Sequence, residues 1–415
     1  RLREHMKLAS QNDTRLCIAL VDLARFKNIN DTLGRGSGDV LLRLVAEWMI
    51  RNAGSPDQVA RVGADQFIVL FVIKPQGDLN KLFESVNRTL EESNFKVNDT
   101  TLRIAARSGI ALYPDDGTDA DVLLRNAEAA LKEAKSSNVR FKFYTPSMNV
   151  QVANRLAMEN LLRQAIGNDE FVLYYQPKAN LLTGKITGAE ALIRWNRPEG
   201  SLVLPGDFIS ILEDTGMIAD VGQWALRTAL ADHQRWRRTG LPPVRIAVNV
   251  SPLQLNNRNF IADLQREEAL DSAGAAGLEI EITESVIMND IEGNTARLKA
   301  LRAMGITVAI DDFGTGFSSL GYLAKLPVDT LKIDRSFIVD MTGGPEGLAL
   351  VSTIIGLAHA LNLKVVAEGV ENEEQKRLLR LLKCDEMQGF ALSPALPVAD
   401  FENIFLREDY RLPVG

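Results

Sequence analysis

Apolar runs and helical periodicities alternate along this chain in two different rhythms. Over residues 1–145, Leu16–Asp22 is a short apolar run ending on a carboxylate, the pattern of a buried strand. A helix is predicted over Asp39–Asn52, with Val40, Leu41, Leu44, Val45 and Trp48 as its apolar positions. A turn at Gly54–Asp57 leads to a strand at Val59–Val62. The tight turn Gly63-Ala64-Asp65 then returns the chain into a strand at Phe67–Ile73, a hairpin signal. A helix over Leu79–Leu90, a long strand over Leu102–Leu112, a helix over Asp121–Ala134 and a strand over Val139–Tyr144 complete an α+β domain. Residues 146–169 read as a connecting helix with few breakers after Pro146.

From residue 170 to 415 the rhythm changes. Eight strands are predicted: Phe171–Gln176, Lys185–Arg194, Arg245–Val250, Leu278–Thr283, Thr307–Asp311, Thr330–Ile333, Lys364–Ala367 and Met387–Leu392. Helical patterns such as Gly222–Arg238 and Gly347–Leu361 separate most of them, which is the sequence shape of an α/β fold closed into a TIM-like (β/α)₈ barrel. Only Asn180–Gly184 joins the first two strands, and a parallel crossover needs about a dozen residues. The first two strands are therefore expected to form an antiparallel hairpin, making the barrel irregular there.

Composition narrows the function classes. Among 415 residues, the 46% hydrophobic and 24% charged fractions are those of an ordinary globular protein, and the length suggests two or three domains. A net charge of -7 argues against a nucleic-acid binder driven by phosphate neutralisation. It leaves room for a small anionic ligand, since bound metal and local charge outweigh the global sign. Cys17 and Cys384 lie in or beside apolar stretches and read as buried small hydrophobes in a reducing compartment. His5, His233 and His359 have no partner at metal-ligand spacing, which disfavours a zinc site. No apolar run reaches the ~18–20 residues of a membrane span. The opening Arg-Leu-Arg-Glu-His-Met-Lys looks like the middle of a helix. A cytoplasmic piece of a longer protein is expected, with a membrane anchor upstream left open.

The predicted barrel strands carry polar residues at or near their C-terminal ends: Glu190, Asn249, Glu281, Asp311 with Asp312, Lys332, Glu368 and Gln388. In a barrel these ends converge on one face, the face that carries active sites. Oxygen ligands without thiolate or imidazole suit Mg²⁺ or Mn²⁺. Clustered carboxylates need cations to offset their repulsion. Adjacent carboxylates such as Asp311 and Asp312 can serve two ions ~3.5–4 Å apart, the arrangement that activates water and stabilises the leaving oxygen in phosphodiester hydrolysis. A lysine such as Lys332 can orient that water or offset developing charge. Each strand-end residue taken alone also reads as a cap or a solvated rim residue. An enolase-like site with Lys332 as base fits the same positions.

Beyond these residue-level readings, residues 150–407 resemble the EAL domain of cyclic di-GMP phosphodiesterases. The resemblance rests on Glu190-Ala191-Leu192-Ile193-Arg194-Trp195, Asn249-Val250-Ser251, Glu281-Ile282-Thr283-Glu284, Asp311-Asp312-Phe313-Gly314-Thr315-Gly316-Phe317-Ser318-Ser319-Leu320, Leu331-Lys332-Ile333-Asp334, Glu368-Gly369-Val370-Glu371 and Gln388-Gly389. It implies Glu190, Asn249, Glu281 and Asp311 as ligands of one metal, and Asp311, Asp312 and Glu368 as contacts of a second. It implies Lys332 as the residue that positions the attacking water, Glu368 as acceptor of its proton and Gln388 as a water-holding residue beside the substrate. Gln176 and Arg194 would contact substrate, and Glu284 would anchor the loop after Asp312. The implied product is linear pGpG, and a homodimer through the barrel is implied as well. Phe317 stands where the family commonly has Tyr, and Ser393-Pro394-Ala395 lacks a basic residue often found there.

Residues 14–145 resemble a GGDEF domain, the cyclase that makes cyclic di-GMP, with the ferredoxin- or palm-like fold this implies. The carrying residues are Val21-Asp22, Phe26-Lys27-Asn28-Ile29-Asn30-Asp31, Gly63-Ala64-Asp65-Gln66-Phe67, Gly109-Ile110-Ala111 and Ala134-Lys135. Gln66 replaces an acidic residue, Ala64 replaces a glycine, and Gly54 stands where an inhibitory-site arginine is expected. An amide cannot supply the negative charge that a magnesium-bound triphosphate needs. A degenerate domain is expected. Asp22, Asn30 and Asp65 persist, so a GTP-binding regulatory role and a purely packing role both remain open. For the whole chain, hydrolysis of cyclic di-GMP is the leading expectation. A non-catalytic cyclic di-GMP receptor is its alternative, followed by a bifunctional enzyme and an enolase-like lyase.

Overall fold

The computed structural model describes residues 1–73, 79–267, 272–314, 323–407 and 410, and the chain divides into two compact units, 1–157 and 158–415. The helix Pro146–Gly167 runs across that division. Met148 packs on Ala129 and Ala130 of the first unit, whereas Leu162 and Ala165 join an apolar cluster of the second.

The first unit is built on β1 (Arg15–Leu23), β2 (Val59–Arg61), β3 (Gln66–Ile73), β4 (Phe95–Val97), β5 (Thr100–Leu102), β6 (Ala106–Tyr113) and β7 (Phe141–Phe143). Five of these form one sheet in the order β2-β3-β1-β6-β7, antiparallel except for the parallel β6–β7 edge. The run Leu16–Leu23 becomes its central strand because its residues are buried on both faces, matching the unbroken apolar pattern. The hairpin expected around Gly63-Ala64-Asp65 forms between β2 and β3. One element differs from expectation: the strand predicted over Leu102–Leu112 is two strands. β5 turns back on β4 in a separate two-stranded ribbon, and only β6 enters the main sheet.

The second unit is a closed barrel of eight strands: β8 (Phe171–Asn180), β9 (Ile186–Asn196), β11 (Arg245–Asn249), β12 (Leu278–Thr283), β13 (Thr307–Phe313), β14 (Thr330–Ile333), β15 (Lys364–Ala367) and β16 (Glu386–Met387). Two short strands, β10 (Leu202–Val203) and β17 (Leu396–Pro397), extend its rim. β8 runs antiparallel to both neighbours, β9 and β16, and all other barrel pairings are parallel. The five-residue connection between β8 and β9 thus produces the expected hairpin. The final strand is shorter than predicted, ending at Met387, because Gln388 and Gly389 turn back onto Val370. A Cβ on Gly389 (φ +151°) would lie 2.3 Å from the Val370 backbone, so this close approach requires glycine.

Side chains alternate across the barrel wall. Ile246, Val248, Ile280, Ile282, Val308, Ile310, Leu331, Ile333 and Val365 are buried in the main core outside the barrel. The outer face of β8 sets Tyr175 against Trp236 (centroids 5.5 Å apart) and Phe401 (5.7 Å), with the Tyr175 hydroxyl donating to Asp232. The opposite parity points inward. There the side chains include Lys178, Glu190, Glu279, Glu281, Asp311, Thr330 and Lys332, all buried. Barrel interiors are ordinarily filled by branched aliphatic residues, so a charged interior marks a site that packing alone does not explain. Among the described residues, no helix is long and apolar enough to cross a membrane.

Candidate active site

The polar strand ends meet at the C-terminal mouth of the barrel, in a cavity of about 280 Å³ lined by Gln176, Glu190, Asp311, Glu368 and Gln388, with Leu192, Arg335, Glu371 and Phe390 around them. At its floor lies Lys332, fully buried on β14. Its ammonium is 2.6 Å from Glu368 Oε1, 2.7 Å from Glu281 Oε2, 3.0 Å from Asp311 Oδ1 and 3.7 Å from Glu190 Oε2. Four strands therefore deliver four carboxylates to one cation.

The register explains who sits beside whom. Gln176 on β8 is paired with Glu190 on β9, and Asn249 on β11 with Glu281 on β12. The Asn249 amide nitrogen donates to Glu190 Oε1 (2.7 Å), and the Gln388 amide nitrogen donates to Glu190 Oε2 (2.6 Å) and Gln176 Oε1 (2.8 Å). The Gln176 amide nitrogen in turn donates to the Ser393 carbonyl (3.0 Å).

Asp311 and Asp312 pose a geometric problem, since neighbours on a strand point to opposite faces. The chain solves it with a register shift between Ile310 and Phe313 and a left-handed backbone at Asp312 (φ +51°), whose N–H donates to Asp311 Oδ1. Carboxylate oxygens of Asp311, Asp312 and Glu368 consequently lie within 4.8 Å of one another. Glu284 opens the helix after β12 and accepts from the Gly314 N–H (3.2 Å), at the start of the loop it is expected to anchor. Residues 315–320 of that motif, Phe317 included, lie outside the described residues.

Electrostatics follows from burial. Burial pushes the Glu368 carboxyl up to about 8, with Asp311, Glu190 and Glu281 adding to the rise and Lys332 opposing it. Burial likewise raises Glu190, Asp311 and Asp312. Glu281 goes the other way: burial is outweighed by Lys178 and Lys332, which bring it down to about 2. Burial alone would lower Lys332, but the surrounding carboxylates carry it well above the ordinary lysine range.

The donor set fits divalent cations. The ligand atoms available are hard oxygens, and Gln388 Oε1 is a buried acceptor with no hydrogen-bond partner among the described residues. Arg194 is placed differently. Two residues past Leu192 on β9, it donates to the Ile193 carbonyl (2.9 Å) and lies 5.6 Å over the Tyr174 ring. Lys178, Arg335, Glu371 and Phe390 received no role from the sequence. Arg335 pairs with Glu371 at 2.6 Å, and Phe390 is 70% exposed at the rim.

In the first unit, Asp22 Oδ2 accepts from the Gln66 amide nitrogen (2.9 Å) and from Lys135 Nζ (2.5 Å). Asn30 lies against Gly38, and the Asp65 carbonyl accepts from the Leu23 N–H.

Comparison with known proteins agrees with this architecture. Residues 159–395 match the model of the EAL domain, and residues 1–140 match that of the diguanylate cyclase GGDEF domain. The bifunctional diguanylate cyclase/cyclic di-GMP phosphodiesterase MucR of Pseudomonas aeruginosa is 38% identical over 398 residues, 96% of this chain and 58% of MucR. The cyclic di-GMP phosphodiesterase NbdA of the same organism is 37% identical, over 97% of this chain and 52% of NbdA. The chain thus spans a little over half the length of these relatives. Among solved structures, the PaMucR phosphodiesterase in complex with cyclic di-GMP is 40% identical, covering 59% of this chain and 99% of that one at a TM-score of 0.57. The EAL enzyme Bd1971, bound to cAMP and cyclic di-GMP, is 25% identical, covering 94% of each chain at a TM-score of 0.58. With strand order, charged interior and both family matches in agreement, the chain belongs to the tandem GGDEF–EAL family, a GGDEF domain followed by an EAL domain.

Proposed function

We propose that the barrel hydrolyses one phosphodiester bond of cyclic di-GMP to give linear pGpG, using two Mg²⁺ or Mn²⁺ ions held by Glu190, Asn249, Glu281, Asp311, Asp312 and Glu368. One observation carries this reading: the oxygens of Asp311, Asp312 and Glu368 within 4.8 Å of one another beside the Lys332 ammonium. The names of MucR and NbdA as cyclic di-GMP phosphodiesterases supply the substrate. When bound, the ions polarise the phosphoryl oxygens and make water a competent nucleophile near neutral pH. The chain's own residues do the rest. Lys332 orients the attacking water and offsets charge developing on the phosphoryl group. Glu368, 2.6 Å from the Lys332 ammonium, is placed to accept that water's proton. Gln388 holds a water, Gln176 contacts the dinucleotide, and the forked guanidinium of Arg194 suits a phosphate.

The test is direct. Purified chain supplied with Mn²⁺ is expected to convert cyclic di-GMP to pGpG, followed by chromatography, and chelator is expected to stop it. Tight binding without product would overturn the hydrolase reading and make the barrel a receptor.

The first domain, in this reading, is a degenerate cyclase that regulates the barrel. Asp22, the acidic residue a magnesium-bound triphosphate would need, is engaged by a neutral amide and an ammonium. Gln66 brings no second negative charge to it. Incubation with GTP and Mg²⁺ is therefore expected to yield no cyclic di-GMP, and any accumulation of it would overturn this part. Calorimetry with GTP, run beside a barrel rate measurement, separates a nucleotide-sensing module from one that only packs. Pairing of two chains through the barrel belongs to the same reading and is read by sedimentation.

A further inference from the structure

We infer that Lys178 is a positioning residue for metal binding: through its contact with Glu281 Oε1 it fixes that carboxylate with Oε2 beside Lys332, the group that also touches Asp311 and Glu368. This rests on the two-metal reading above.

Lys178 is 3% exposed and lies on β8, two residues past Gln176 and so on the same inward face. Its cross-strand partner is Gly188, which has no side chain to occupy the axis. Its ammonium is 2.6 Å from Glu281 Oε1 and 3.0 Å from Glu279 Oε1. The second oxygen of each carboxylate is also held: Glu281 Oε2 accepts from Lys332 (2.7 Å), and Glu279 Oε2 accepts from the Thr330 hydroxyl (3.2 Å). A chain Thr330–Glu279–Lys178–Glu281–Lys332 thus runs inside the barrel, with Lys178 as its central link.

The two ends of this chain do different things. Lys332 touches Asp311 and Glu368 as well as Glu281, so it belongs to the reacting centre. Lys178 contacts neither, and its other partner, Glu279, lies two residues back along β12 from Glu281. With Lys178 on Oε1 and Lys332 on Oε2, the Glu281 carboxylate plane is fixed from both sides, and the lone pairs of Oε2 not used by Lys332 stay directed at one place. Without Lys178 one of these two restraints is lost, the carboxylate can pivot about its Lys332 contact, and ordering it again costs rotamer entropy on metal binding. Groups behind the ligands commonly shift metal affinity by about 10- to 100-fold for this reason.

Lys178→Met alone would leave two buried carboxylates short of a counter-charge, so the test uses paired changes, Lys178→Met/Glu279→Gln and Lys178→Met/Glu279→Met. Each removes the tether together with one of the two carboxylates it neutralises, which leaves the net charge of the interior unchanged and Glu281 on Lys332. Mn²⁺ is titrated calorimetrically into chelator-stripped chain, beside a melting curve. We expect Mn²⁺ affinity to fall about 10- to 100-fold. Turnover should fall at low Mn²⁺ and recover at saturating Mn²⁺, with KM for cyclic di-GMP unchanged. Wild-type Mn²⁺ affinity in either folded variant, whatever its melting temperature, overturns the inference. Glu281→Gln separates the two layers. If Glu281→Gln loses Mn²⁺ binding and the paired variants keep it, the positioning role fails and the metal reading stands. If wild-type chain binds no Mn²⁺, the metal reading itself fails.

Discussion

Replacing Glu190 by alanine is expected to remove hydrolysis of cyclic di-GMP, by at least about 10³-fold, while the barrel stays folded. Glu190 is where three strands meet. Its two oxygens accept from Asn249 and Gln388, its backbone is paired with Gln176 across the hairpin, and Lys332 is 3.7 Å away. The substitution deletes one hard oxygen ligand and frees two amides to turn. The effect on folding is small for a separate reason. Burial raises the Glu190 carboxyl, with Glu281 and Asp311 adding, so the folded barrel already holds this charge at some cost. Alanine relieves that repulsion, and water at the open mouth can satisfy the released amides. The stability change is therefore expected to stay within about 1 kcal/mol. Steady-state turnover and a melting curve check the two halves together. Glu190→Gln refines the result: its single amide oxygen can keep one of the two accepted hydrogen bonds but not the charge, and it should be nearly as inactive. Full turnover in either variant would remove Glu190 from the ligand set.

Much of this site was legible because barrel geometry turns position along a strand into position in space. The strands Leu278–Thr283, Thr330–Ile333 and Lys364–Ala367 are as the apolar runs predict, and Glu281 and Lys332 on the first two and Glu368 just past the third meet inside the barrel. Period-2 reasoning fails where the backbone leaves the strand region. It would send Asp311 and Asp312 to opposite faces, and only the bulge with the left-handed Asp312 brings them together. Residues beyond the strands were equally opaque: Arg335, which opens a short helix, and Glu371 and Phe390, in connections, carry no periodicity that could aim them at the mouth. The split of Leu102–Leu112 was hidden because Ile104 and Ala106 keep the segment apolar across the break. Lys178 is the instructive omission. The predicted strand stops at Gln176, whereas β8 runs on to Asn180 and buries Lys178 in step with Gln176, and such a charge demands partners.

Lys332→Met gives the other large effect, and its signature differs from that of Glu190→Ala. Turnover is expected to vanish as well, since the group that positions the attacking water is gone. Here, however, metal-free stability should fall. Lys332 is buried among Glu190, Glu281, Asp311 and Glu368, and removing it leaves Lys178 on Glu281 as the nearby counter-charge. Breaking a buried ion pair costs about 3–5 kcal/mol. For a barrel of this size that is a fall in Tm of roughly 10 °C. Divalent cations replace the missing charge, so Mn²⁺ should restore most of the loss in the variant and raise the wild-type Tm less. The pH dependence has a definite sign. Glu190, Asp311 and Glu368 already sit above their ordinary values, and losing the ammonium raises them further. The folded state then binds more protons than the unfolded chain from the ordinary carboxyl range upward. Its stability falls as pH rises through that window, and the deficit is larger at pH 8 than at pH 5. Scanning calorimetry at both pH values, with chelator and with Mn²⁺, reads all of this. A variant that melts like wild type in chelator at pH 8 would mean that Lys332 does not neutralise the cluster, and the site would need another source of positive charge before any metal arrives.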